Sequence, residues 1–96
     1  MDLLVTYDID TSTRNGQRRL ARVARICEGY GLRVQYSVFE CRLTESRLMA
    51  LRIDLEDEID PTTDQIRIYR FAGDITDARH TLGMQNQGGF DDLWEW

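Results

Sequence analysis

The sequence predicts an α+β domain of the ferredoxin-like order β-α-β-β-α-β, with a short extra edge strand at the end. Three observations carry this. Apolar, β-forming runs occupy residues 2–9, 32–43 and 65–71. The middle run breaks near Tyr36-Ser37 and is long enough for a strand pair. Between the runs lie two segments whose apolar residues recur at helical spacing. The 96 residues fit one domain with a modest core, assigned to 1–83, followed by a tail at 84–96.

The first strand, residues 2–9, alternates Leu3, Val5 and Tyr7 on one side with Leu4, Thr6 and Asp8 on the other. Both sides are largely apolar, so both faces of the sheet are expected to be covered. A helix over 11–30 follows, with Asp10, Thr11 or Ser12 as cap and Asp10 preferred among the acids. Leu20, Val23, Ala24, Cys27 and Tyr30 form its buried stripe, Gly16 is a weak point in its first turns, and Gly31 suits the position just past its end. In 32–43, Tyr36-Ser37 is the bend or bulge. A second helix over 44–58 takes Thr44 as cap. Leu48, Leu51, Leu55 and Ile59 are its apolar side, and Asp60-Pro61 is its stop. Residues 65–71 make another strand, and 75–82 the short edge strand. Two helices on one face leave the other face of the sheet, with Leu4, Thr6 and Phe39, to be covered. A two-fold dimer with sheet against sheet is the economical cover.

No apolar run approaches the ~20 residues of a membrane span. The N-terminus lacks the basic and apolar regions of a signal peptide, so a cytoplasmic setting is expected. Cys27 and Cys41 then read as reduced core residues, and with His80 alone they are too few for zinc.

The net charge of -5 argues against a nucleic-acid partner until its distribution is seen. Every basic residue is Arg, the residue whose planar fork grips phosphate. Arg14, Arg18, Arg19, Arg22, Arg25 and Arg33 face one acid, Glu28, across 11–35. Across 44–64, Arg47 and Arg52 are outnumbered by Glu45, Asp54, Glu56, Asp57, Glu58, Asp60 and Asp64. A chain this bipolar is governed by local potential. The arginine row is a phosphate-binding candidate; the plainer reading is a solvated face pairing with acids of the second helix. Asp8 ends the first strand just before a loop. One carboxylate is a poor metal site, but magnesium is often held by one or two carboxylates plus waters, and a symmetry mate would supply the second. Tyr36, Tyr69 and Phe71 read as packing residues rather than base-stacking platforms.

Taken together, Tyr7-Asp8-Ile9, the Arg-rich helix, Arg33-Val34-Gln35-Tyr36-Ser37-Val38-Phe39-Glu40-Cys41, Ile66-Arg67-Ile68-Tyr69 and Leu82-Gly83 resemble the CRISPR-associated Cas-two family over residues 2–83. The resemblance implies a ferredoxin-like homodimer acting in spacer acquisition, as a DNA-binding scaffold between dimers of the Cas-one integrase. It also implies a magnesium-dependent nuclease acting on RNA or double-stranded DNA, with manganese as an alternative ion. Asp8 is then catalytic residue and metal ligand, with Tyr7, Ser37 and Phe39 in support and Arg18, Arg19 and Arg33 at basic positions. The tail departs from the family's ending. Its Phe90, Leu93, Trp94 and Trp96 are candidates for partner docking or for covering a sheet edge. The competing functions are a stand-alone metal-dependent endoribonuclease of the related toxin type and a regulatory ferredoxin-like module. The charge pattern disfavours the module. One acid without an evident base favours the scaffold over the nuclease.

Overall fold

A computed structural model describes residues 1–84. In chain order the elements are β1 (Asp2–Asp8), α1 (Arg14–Glu28), β2 (Gly31–Gln35), β3 (Val38–Arg42), α2 (Glu45–Glu58), β4 (Gln65–Arg70) and α3 (Ile75–Ala78). The strands form one antiparallel sheet in the order β2-β3-β1-β4. This is the expected β-α-β-β-α-β arrangement, with both long helices on one face.

The pleat decides what is buried. Leu3, Val5 and Tyr7 point toward the helices and are closed off from solvent, as are Phe39 and Cys41 of β3. Val23, Ala24 and Cys27 of α1 and Leu51 and Leu55 of α2 complete the core. Phe39 lies opposite Val5 in register, so it shares the helix-facing side and is not on the open face as expected. Burial in this apolar layer pushes the Cys27 thiol up to about 12 and the Cys41 thiol up to about 11, so both stay protonated and inert.

Helix α1 starts later than the sequence indicates. Thr13 is its cap, accepting from the Gly16 N–H at 3.0 Å. Asp10 instead closes a turn of its own by accepting from the Ser12 N–H at 2.9 Å, which holds 11–13 outside the helix. Gly16 is required rather than weak: a Cβ there would stand 1.9 Å from the Asp10 carbonyl oxygen. Gly29, not Gly31, terminates the helix. Gly31 opens β2, where a Cβ would meet the Glu40 carbonyl oxygen at 2.4 Å. Thr44 caps α2 as read, accepting from the Arg47 N–H at 3.2 Å. The strand pair turns at Tyr36-Ser37, with a bulge between Arg33 and Gln35.

The edge strand expected at 75–82 is replaced by α3. Asp74 caps it, accepting from the Thr76 N–H at 2.8 Å, a bond that favours a helical turn over a strand. This segment returns across the sheet face opposite α1 and α2. Asp2 accepts from the Ile75 N–H at 2.8 Å and from Arg42 at 2.7 and 3.1 Å, and Arg79 pairs with Glu40 at 2.6 Å. One end of that face is therefore covered within the chain. The other end carries Thr6, Val38 and the exposed Asp8. Among the described residues no helix is long and apolar enough to cross a membrane.

Candidate nucleic-acid and metal site

The site is built at the C-terminal end of β1. Strand alternation turns Tyr7 inward and Asp8 outward. Tyr7 stacks near Phe39, with ring centroids 6.2 Å apart. Its hydroxyl donates to the Tyr36 carbonyl at 3.0 Å, and its backbone N–H donates to the Ser37 carbonyl at 3.1 Å. Residue 7 thus staples the β2–β3 turn against the end of β1. Burial raises the Tyr7 hydroxyl above its ordinary pKa, and the Arg33 guanidinium works against that rise.

Around this staple lies a cleft of about 330 Å³, lined by Tyr7, Asp8, Ile9, Leu20, Ala24, Arg33, Tyr36 and Ser37. Asp8 is exposed and is the only acid among the described residues of the lining. Arg33 lies with its Cζ 5.2 Å from the Phe39 ring centroid and pairs with Glu28 at 3.7 Å. Tyr7, Asp8, Arg33 and Ser37 thus border one cleft, Asp8 from the outer side of the strand, with Phe39 beneath Arg33. The arginines of α1 line no part of the cleft.

Those arginines divide into two sets. Arg19 donates through Nε to Asp64 at 2.9 Å, and Arg22 pairs with Glu58 of α2. Arg14, Arg18 and Arg25 are exposed, and no carboxylate among the described residues lies within 4 Å of them. Phe90, Leu93, Trp94 and Trp96 lie outside the described residues.

A second cluster, which the sequence did not reveal, braces the loop after Asp8. The Asp64 side chain is closed off from solvent. It accepts from Arg19, from the Asp10 N–H and the Asp60 N–H, each at 3.0 Å, and from the Thr63 hydroxyl at 3.1 Å. Burial alone would raise this carboxyl. The Arg19 bond, with the backbone and Thr63 donors, outweighs burial and holds the carboxyl down at about 2. Asp64 thus ties the β1–α1 loop to the turn before β4, two residues beyond Asp8. In sequence it is one acid among many in 44–64, and only the chain crossing brings Arg19 to it.

Among the described residues, no group of three or more His, Cys, Asp or Glu is arranged to hold a metal ion. One protomer offers Asp8 as a single carboxylate, which by itself does not make a metal site.

Comparison with known proteins gives the family. The sequence pattern of the family described as CRISPR associated protein Cas2 matches residues 1–78. The chain is 49% identical over 69 residues, 72% of each chain, to the CRISPR-associated endoribonuclease Cas2 of Chlorobaculum tepidum. It is 45% identical over 85 residues, 88% of each, to the CRISPR-associated endonuclease Cas2 of Halalkalibacterium halodurans. The crystal structure of Streptococcus pyogenes Cas2 superposes with a TM-score of 0.78 at 43% identity, covering 86% of this chain and 100% of that one. With that family's pattern matching residues 1–78 and these relatives 45–49% identical, the chain belongs to the CRISPR-associated protein Cas2 family.

Proposed function

We propose that this chain is a dimeric DNA-binding scaffold of CRISPR spacer acquisition, gripping duplex phosphates from α1 and docking the Cas-one integrase. The observation that carries the DNA reading is the set Arg14, Arg18 and Arg25. These three guanidinium groups are exposed on one helix with no acid within 4 Å among the described residues, although acids outnumber basic residues 17 to 12 in the chain. Arg19 and Arg22 are already satisfied by acids, which leaves their neighbours for phosphate. Dimerisation rests on the sheet face that α3 leaves open around Thr6 and Asp8. Integrase docking is assigned to the apolar tail and rests on composition alone.

The test is duplex binding as a function of salt. Each phosphate contact contributes about 0.9 to the slope of log affinity against log salt, so Arg14, Arg18 and Arg25 changed together to Ala should flatten the slope by about 2–3. An unchanged slope sinks this assignment.

A second reading has its own support. Asp8 is an exposed carboxylate without a hydrogen-bonding or ion-pair partner among the described residues, held beside Arg33 on a cleft. Relatives are named endoribonuclease or endonuclease. In this reading Asp8 and the same residue of a second copy hold magnesium or manganese, and the protein cleaves RNA or double-stranded DNA.

A further inference from the structure

We propose that Tyr36 is a stacking platform for an unpaired nucleobase beside Asp8, and that it biases the cleft toward single-stranded nucleic acid. The proposal rests on the nucleic-acid reading above and adds the form of strand the cleft takes.

Tyr36 is 93% exposed, the most exposed aromatic ring among the described residues. The sequence reads it as packing, and the structure gives it nothing to pack on. Its main chain is nonetheless held firmly. Tyr7 donates from its hydroxyl to the Tyr36 carbonyl at 3.0 Å and from its N–H to the Ser37 carbonyl at 3.1 Å. Both bonds come from the residue immediately before Asp8. The ring is therefore presented from a stapled turn, at a place set by the strand that carries the acid. A ring on a pre-organised turn loses little freedom when a ligand stacks on it.

Charge lies where a nucleotide would need it. Arg33, Tyr36 and Ser37 are shared by the Asp8 cleft and by a second, open hollow of about 790 Å³ beside Val34 and Gln35. A strand passing from one hollow to the other crosses the Tyr36 ring beside Arg33, whose pairing with Glu28 is a long, solvent-exposed contact of 3.7 Å that a phosphate can replace, unlike the closed-off Arg19–Asp64 bond. Bases within a duplex are already stacked on their neighbours and offer no face to the ring. An unpaired base does, and stacking accepts any base because every base has a π-face.

The experiment uses the full chain and a short single-stranded oligonucleotide carrying 2-aminopurine, whose emission falls when it stacks, beside a blunt duplex of the same length. Tyr36→Ala should weaken single-strand binding about 5- to 150-fold and remove the quenching, with a smaller loss on duplex. Tyr36→Phe should retain both signals, whereas Tyr36→Leu, apolar without a π-face, should behave as Ala does. Equal affinities for Tyr36→Leu and the wild type overturn the proposal. So does a Tyr36→Ala protein that sediments as a smaller species, since the ring would then be packing on a second copy. A wild type that binds neither probe defeats the nucleic-acid reading itself. A wild type that binds both, with Tyr36→Ala unchanged, defeats only the platform.

Discussion

Asp64 offers the most quantitative handle on this structure. Its buried carboxylate accepts from the Arg19 guanidinium, from two backbone N–H groups and from the Thr63 hydroxyl. Asp64→Asn keeps the shape and removes the charge. A carboxyl held at about 2, against 3.8 when free, contributes about 2 kcal/mol at neutral pH, each tenfold difference in proton affinity being about 1.4 kcal/mol. In a domain of this size, that lowers the melting temperature by roughly 8–16 °C. Asp64→Ala also strands Arg19 and both N–H groups, and should cost about 3–5 kcal/mol. The sign with pH follows from the depressed value. The contribution is complete above about pH 4 and disappears as pH falls through about 2, where the wild-type carboxyl is protonated as well. Thermal denaturation followed by circular dichroism should show the wild type and Asp64→Asn well separated at pH 7 and converging near pH 2. Equal melting temperatures at pH 7, or a gap that persists undiminished in acid, would refute the assignment of this stability to the Asp64 charge.

Other outcomes follow from the same geometry. Asp8→Asn should abolish any magnesium- or manganese-dependent cleavage while leaving the fold intact, because Asp8 is exposed. Spacer acquisition in cells should survive that change if the scaffold role is primary; cleavage persisting in rigorously purified Asp8→Asn protein points to another site or a contaminant. Gly16→Ala should destabilise by about 1–3 kcal/mol despite Ala's higher helix propensity, because the added Cβ would meet the Asp10 carbonyl; a more stable Gly16→Ala protein in denaturant titration contradicts that packing.

Much of this molecule could be read from local pattern. Alternation in 2–9 placed Leu3, Val5 and Tyr7 together and sent Asp8 to the other side, and the sheet obeys it. The break at Tyr36-Ser37, the Thr44 cap and the stop before Pro61 are local chemistry and were legible for that reason. The elements that differed were decided by partners far away in sequence. Phe39 lies in the core because strand register pairs it with Val5, and a bulge in β2 adjusts that hairpin. The segment after β4 folds as α3 because Asp2 and Glu40 draw it across the sheet face with bonds that cross 73 and 39 positions of the chain.

The candidate site divides along the same line. The order of residues was enough to single out Asp8, Arg33 and the α1 arginines as candidates, because a strand-end acid and an Arg row are features of adjacent residues. It did not reveal which arginines are occupied. Arg19 meets Asp64 across 45 positions and Arg22 meets Glu58 across 36, and contacts of that separation have no periodicity to betray them. Nor did it reveal that Tyr36 faces solvent, since an aromatic in a β-rich run is ordinarily buried and only the turn geometry sets its ring outside. Composition and spacing determined the elements and the inventory of reactive groups; the tertiary structure decided which groups are neutralised, buried or presented, because burial and charge pairing are properties of neighbours that only the folded chain brings together.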